Sequence, residues 1–541
     1  HSRSRSANTY PFFGRFFGAL VLATIPLLGV YLGVILGSAL GPIMGTISAD
    51  RIGPLFLETF VNNYLLFILP NMFIAGVIVF ALAIKFKNTV VSFVGAFGLI
   101  VSYIIAGTLL SEIDNETIAA LADTFGARAW TVESRYFTPM EKNTVSPGFS
   151  GILFLNRLVR LGIGAVVLML TYLSFSFKEK QSKVKKQKAK SNNFQLFQKP
   201  QVTVLNSNWL QFSSFFKISF LNIIKSVVFK VIFLFALILL VSNIVGGYEY
   251  FGLKSYPLTY IVVDMINSST TIFSMIIIIF FSGELIWNDR SSKIDEVINA
   301  TPHNSFSSLL AKVVTLIGVS TFLYVIFSVI GIIYQLILGF TFIEFGLYFS
   351  NYFYVFLPSY LFYSILFIAI QVLVNNKYLG YFVAILLSFL LDIVLFAMDV
   401  NTNMVSLGSR PSLSYSDMNG FGPGFNGAMW FSAYWLLFGG ILLVLSAIFW
   451  VRSTGGNTKT RWKLAQVNLR GKNSLILGAV IILWLATASF VYYNTQILNS
   501  YETRDEREQI SVDYEKQLKK YENITLPKIK EIVYTLDIFP N

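Results

Sequence analysis

Apolar residues in this chain come in long runs, broken by short polar segments, and not in the short periods of half-buried soluble helices or strands. Eleven runs are long enough to cross a bilayer, which takes roughly 20 residues each. Their cores fall at 16–38, 62–84, 89–110, 155–177, 227–246, 260–283, 313–338, 353–374, 378–398, 430–451 and 474–493. The pattern predicts an all-α polytopic membrane protein with about 11 transmembrane helices.

The runs also predict a repeat. NTYPFFGRFFGALVLATI at 8–25 resembles NSFSSLLAKVVTLIGVST from Asn304, and an ungapped offset of 297 puts Gly14-Arg15 on Ala311-Lys312. Each copy then continues in one order: a span, a loop, a span, a tight basic turn (Lys85 and Lys87, or Lys377), a span, a long loop and a last span. Two pseudo-repeated halves are expected, facing each other across a central path. Spans 227–246 and 260–283 lack counterparts in the first copy, so the first half reads as incomplete, with a further span pair expected ahead of His1. The expected organisation is a first half at 1–177, a basic linker at 178–208 and a second half at 209–451. A basic loop with the final span follows at 452–494, and a soluble segment starts at 495–541. Within the second half, 209–225 reads as an amphipathic helix lying on the membrane face, with Trp209 as its anchor, or as an extension of the following span.

Composition narrows the class. Of 541 residues 55% are apolar, 16% aromatic and only 13% charged, which excludes a disordered chain and an ordinary cytosolic enzyme. There is no Cys and there are two His, so neither a thiolate site nor a His-rich metal site can be built from this chain alone. The net charge of +13 is distributed by topology. The segments 1–11, 85–88, 178–225, 288–312, 375–377 and 452–473 hold 24 Lys and Arg against 4 Asp and Glu. The alternate segments hold 6 against 11. This bias predicts that the first set is cytoplasmic and that the tail from Asn494 lies outside. The positive charge then serves orientation and contact with membrane lipids, not nucleic acid.

FFSGELIWNDRSSKIDEVINATPHNS at 280–305 leaves a span at Gly283-Glu284 and turns abruptly polar. Residues 289–299 read as a short helix with Ile294, Val297 and Ile298 on one face and Asp289, Arg290, Asp295 and Glu296 around it, stopped at Thr301-Pro302. Such a helix either docks in a groove of a partner or only closes a turn. Here the chain resembles a family. Gly283-Glu284-Leu285-Ile286-Trp287, Arg290, Ile294-Asp295-Glu296 and Ala300-Thr301-Pro302 look like the cytoplasmic loop of ABC-2-type transporter permeases. ADTFGARAW and ESRYFTPMEKN within 122–143, YSDMNGFGP at 415–423 and the segment 514–540 narrow the resemblance to bacterial permeases fused to an extracytoplasmic zinc aminopeptidase domain. The resemblance implies that the 289–299 helix couples the permease to a separate ATP-binding cassette subunit. It also implies a bacterial inner-membrane location.

The chain departs from the fused pattern. It has no HExxH, and His303 is the one His besides His1. It has no GxxxxGK[ST] either, since GGNTKT at 455–460 lacks the spacing. No catalytic residue, cofactor site or metal site is expected in this chain, with ATP on the partner subunit and zinc in a domain it does not contain. Charges within spans mark functional candidates, because burying them in lipid is costly. Arg160, Asp264 and Asp392 are the candidates for a translocation path, and Arg157 is expected to snorkel to the membrane surface. Three functions fit: an ABC exporter permease of unknown substrate, a membrane anchor for an outer peptidase, or a secondary transporter using Asp264 and Asp392.

Overall fold

The structure is a computed structural model. It describes residues 2–44, 48, 50, 52–53, 55–87, 91–92, 95, 98–99, 102–103, 116–175, 208–246, 249–250, 253–292, 304–400, 402–450, 458–499, 501–525 and 527–537. Hydrocarbon offers no partner to backbone N–H and C=O groups, so long apolar runs satisfy them as helices. Among the described residues, ten helices are long and apolar enough to cross a membrane. The expected span at 89–110 lies largely outside the described residues. Only two-residue strands, Glu249–Tyr250 and Leu253–Lys254, pair as a sheet among those residues. The chain is an all-helical, multi-pass membrane protein, and it falls into two compact units, His1–Tyr360 and Leu361–Asn541.

In the first unit, α1 (Ser2–Leu40), α2 (Leu57–Asn63), α3 (Leu69–Phe86) and α7 (Gly151–Ser174) precede the linker, with the short helices α4 (Glu116–Ala122), α5 (Ala127–Glu133) and α6 (Pro139–Thr144) in the long loop. Phe12 and Phe16 of α1, Val77 of α3 and Leu168 of α7 form one buried core. Leu66, Ala120, Ala129 and Leu153 form a second core, which ties the loop helices to the bundle. Gly164 lets α7 approach α3, since a Cβ there would lie 2.7 Å from the Phe73 ring.

After the linker come α8 (Asn208–Lys225), α9 (Val227–Gly246), α10 (Thr259–Ser291), α11 (Ser305–Ile337) and α12 (Phe345–Asn351). Helix α10 is the central one, with 78% of its most apolar stretch buried, against 6% for α1. Gly331 of α11 brings α11 onto α10, because a Cβ there would sit 2.7 Å from Val262. Helix α8 packs lengthwise along α11. Phe212, Phe216 and Phe220 stack in a row, Phe216 meets Gly318, and Phe220 meets Phe322 edge-on. Trp209 stays 73% exposed at its start.

The second unit holds most of α13 (Leu357–Val374), then α14 (Lys377–Ala397), α15 (Phe425–Phe449), α16 (Thr458–Asn468), α17 (Lys472–Tyr492) and α18 (Arg504–Leu518). Tyr434 of α15 stacks on Trp484 of α17, and Trp430 packs on Phe490. Arg461 of α16 donates to the carbonyls of Val372 (2.7 Å) and Phe449 (3.4 Å). It thereby satisfies carbonyls that the last turns of α13 and α15 leave open.

Two spans share one distortion. Asn63-Tyr64 opens a π-helical turn, Tyr64–Ile68, followed by Leu69-Pro70. Asn351-Tyr352 opens another, Tyr352–Phe356, followed by Leu357-Pro358. Proline lacks an N–H and its ring crowds the carbonyl four residues back, so the helix widens there. Both spans also end on a left-handed residue, Lys87 at φ 49° and Asn375 at φ 54°.

Candidate functional site

The first long loop folds around Asp123. Its carboxylate accepts from the N–H of Phe125 (2.9 Å) and of Arg128 (2.6 Å), which bends 123–128 into a tight turn before α5. That turn and the end of α4 aim carbonyls at the first turns of α7. Asn156 donates through Nδ2 to Ala120 (2.6 Å), Asp123 (2.9 Å) and Leu121 (3.2 Å). Arg160 donates to the carbonyls of Leu121 and Ala122. Most of these oxygens belong to the last turn of α4, the negative end of its dipole. Arg157 donates to Asn71 Oδ1 (2.8 Å), to Asn156 Oδ1 and to the Thr124 carbonyl (3.5 Å). Gly126 stands at φ 83°, and a Cβ there would lie 2.6 Å from Arg157 Nη2.

Arg157 therefore does not snorkel. It is 1% exposed, beneath the loop. Polar partners are close at hand here, whereas reaching water would strip the loop of its donors. Asn71 and Asn156 were not singled out by sequence reasoning. The signal for Asn156 was a polar side chain beside a charge inside a span, in Leu155-Asn156-Arg157; Asn71, in Pro70-Asn71-Met72, carries no such charge beside it. Arg160, a candidate for the path, is occupied by α4 carbonyls.

The second long loop, 398–424, is held from three helices, α13, α14 and α15. Tyr363 donates to the Leu407 carbonyl (3.1 Å), Trp435 Nε1 to Ser409 (2.8 Å) and Tyr434 to Met404 (3.2 Å). Gly408 stands at φ 71°. Asp392 accepts from Ser406 Oγ (2.7 Å). It lies on the wall of a cavity of about 330 Å³ shared with Asp399, Thr402, Asn403 and Arg504. Asp399 accepts from the backbone N–H of Arg504 (3.1 Å) and of Asp505 (3.4 Å), the opening turn of α18. The Arg504 guanidinium lies over the Phe396 ring.

Between α10, α11 and α12 runs a buried polar chain. Asn267 and Asn351 exchange hydrogen bonds of 3.1 and 2.8 Å, and Asn351 also donates to the Tyr324 hydroxyl (2.9 Å). Tyr348 donates to Gln335 (3.0 Å), which donates to the Pro257 carbonyl (2.9 Å). Asp264 stands apart from this chain, exposed on α10.

At the other end of α10 the expected short helix starts differently. Asp289 and Arg290 belong to the last turn of α10, which ends at Ser291 with Ser292 as its cap. Lys312, 7% exposed, donates to Asp289 Oδ2 (3.0 Å) and to the Leu285 carbonyl, tying the end of α10 to the start of α11. Arg290 lies over the Trp287 ring, 5.0 Å from its centre. Ile294, Asp295, Glu296, Val297, Ile298 and His303 lie outside the described residues. Lys312 escaped sequence reasoning because it sits one residue before an apolar core and reads as loop charge.

Among the described residues, no group of three or more His, Asp and Glu is placed to hold a metal ion. No family model matches the chain, and neither a curated protein nor a solved structure matches it.

Proposed function

We propose that this chain is the permease component of an ABC-type exporter, worked by a separate ATP-binding subunit, in the bacterial cytoplasmic membrane with its C-terminal tail outside. The observation that carries the reading is the Lys312–Asp289 tie. A 33-residue α10 is about 50 Å long, well beyond a hydrocarbon core of roughly 30 Å. Its end is fastened to α11, so residues 293–303 spring from two helices that are joined at their base. A push on that segment reaches both spans at once. The residues Asp289, Arg290, Ile294, Asp295, Glu296, Val297 and Ile298 are proposed to receive that push from the ATPase. The matching π turns and left-handed ends of the two Asn-Tyr…Leu-Pro spans support a layout in two pseudo-repeated halves.

This chain is proposed to hold no catalytic centre of its own. Without HExxH it offers no zinc ligands of the implied peptidase, so no step is assigned to that metal. A second reading, an anchor for an outer domain, is favoured by one contact: Asp399 seats the first turn of α18.

The test is Ile294→Asp with Ile298→Asp. The double variant should insert and fold yet lose co-purification of the ATPase and ATP-driven transport. Full partner binding, or failure to fold, would refute the coupling role. Reporter fusions after Lys190 and after Asn541 should report opposite sides of the membrane; the same side would sink the topology.

A further inference from the structure

The exposed faces of neighbouring spans in the first unit differ in kind. On α11 the exposed residues are Phe306, Phe322, Val325, Val329, Ile333, Leu336 and Ile337, all apolar. On α9 they are Val227, Leu234, Ile238 and Val241, with Lys230 in the first turn. These are surfaces suited to lipid. On α10, between Thr259 and Trp287, the exposed residues are Asp264, Ser268, Thr271 and Ile272. Asp264, Ser268 and Thr271 fall at i, i+4 and i+7, so they form one stripe. The next residue on that line, Met275, is half-buried, and Ile278 and Ile279 beyond it are buried. The stripe is polar near the Thr259 end of α10 and is shut off by apolar packing toward the other end.

The five-residue polar run at 267–271 has its members assigned by direction. Asn267 bonds Asn351 of α12, and Ser269 accepts from Asn243 of α9 (2.9 Å). Ser268 and Thr271 point to the open side, and each hydroxyl donates to its own helix, Ser268 to the Asp264 carbonyl (3.0 Å) and Thr271 to that of Asn267 (2.7 Å). The Asp264 carboxylate has no ion-pair or hydrogen-bond partner among the described residues. A carboxylate against acyl chains is among the least favourable placements in a membrane, and such groups face water or a partner.

We propose that the Asp264–Ser268–Thr271 stripe is a water-lined wall, open at the Thr259 end of α10, that draws cationic groups in preference to anionic ones. The inference builds on the permease reading, which supplies the need for cargo, but its test reads water and charge, not transport. The chain has no Cys, so single cysteines can be placed in an otherwise thiol-free protein. Ser268→Cys and Thr271→Cys are treated in membranes with a permanently cationic and an anionic methanethiosulfonate reagent. Val325→Cys and Val329→Cys serve as lipid-facing references.

The stripe cysteines should label with the cationic reagent and the references with neither. The cationic rate, each reagent being normalised to a small free thiol, should exceed the anionic rate by about tenfold, as a single carboxylate in a low-dielectric cleft concentrates cations. Asp264→Asn should bring that ratio near one, and Asp264→Glu should keep it. No labelling at 268 and 271 overturns the proposal, as does spontaneous cross-linking of Ser268→Cys between two copies, which would make the stripe an interface. A ratio unmoved by Asp264→Asn overturns the cation preference. Labelling as expected, without any ATP-driven flux, leaves the wall standing and counts against the permease reading alone.

Discussion

The two long loops make the same turn and hold it with different chemistry. In the first, the Phe125 carbonyl accepts from Asn71 (3.1 Å), Gly126 follows at φ 83°, and Arg128 stands two residues on. In the second, the Leu407 carbonyl accepts from Tyr363 (3.1 Å), Gly408 follows at φ 71°, and Arg410 stands two residues on. In each case the donor comes from the span that carries the π turn, α3 or α13. What lies under the glycine differs. Gly126 rests on the buried Arg157 guanidinium, whereas Gly408 rests on the rings of Phe362 and Tyr363. The first loop is thus locked by a desolvated charge with fixed hydrogen-bond demands. The second rests on aromatic edges, which tolerate displacement, and its Asp399 takes in the start of α18. A turn can be kept while its support changes from ionic to aromatic, and the two supports should fail differently.

The sharpest way to break this comparison is at the glycines. A Cβ at position 126 meets Arg157 at 2.6 Å, while one at 408 meets ring atoms at 3.0 Å. Both positions also carry the strain of a positive φ. Gly126→Ala should cost about 3–4 kcal/mol and Gly408→Ala about 1–2 kcal/mol, read as thermal unfolding in detergent. Equal losses would mean that the support does not matter.

Removing the charge comes next. Arg157→Met leaves Asn71 Oδ1, Asn156 Oδ1 and the Thr124 carbonyl without their donor. The expected cost is about 2–4 kcal/mol, because buried groups are left unpaired. A variant as stable as the parent would show that the network is ornamental. The paired donors give a finer version of the same contrast. Asn71→Leu breaks the links to Phe125 and to Arg157 and should cost about 2 kcal/mol, whereas Tyr363→Phe removes a single bond and should cost about 1 kcal/mol. The reverse order would undo the argument.

Asp399→Ala should free the first turn of α18, at about 1 kcal/mol for a lost helix-end acceptor. Faster limited proteolysis between 499 and 510, with α15 and α17 unchanged, is the expected reading. The smallest effect concerns α6. The backbone N–H and hydroxyl of Thr138 hold the exposed Glu141 carboxyl below the usual carboxylate range. Its contribution is therefore present above the unfolded value, about 4.3, and fades as pH falls through the lower folded value. Protection of 139–144 in hydrogen exchange should fall only in that acidic window. Loss already at pH 6 would exclude the capping box as its cause.

Much of this molecule is legible in its sequence. Span length, helical class and nearly all span positions follow from run length alone, because lipid permits few alternatives to a helix. The left-handed ends at Lys87 and Asn375 fall on the short basic breaks of the sequence. The fate of individual charges was not legible. Asp289 looked like the start of a surface helix but ends α10, since Lys312 lies 23 residues further along and only packing brings it there. Arg157 looked like a residue that reaches for water, because two of the oxygens that receive it, the Thr124 carbonyl and Asn71 Oδ1, lie 33 and 86 residues earlier in the chain.

The sequence by itself determined that this is a multi-pass helical membrane protein and that its charges inside spans are few. Those properties are sums over local composition, and each segment carries its share without knowing its neighbours. Tertiary structure decided which faces are lipid-like and which are polar. It left Ser268 and Thr271 exposed and turned Asn267 and Ser269 inward, although all four stand in one polar run. It decided too that Asn156, Arg157 and Arg160 hold a loop in place. The reason is physical: a buried polar atom is defined by the partner that satisfies it, and these partners lie on other helices, set by how the helices meet.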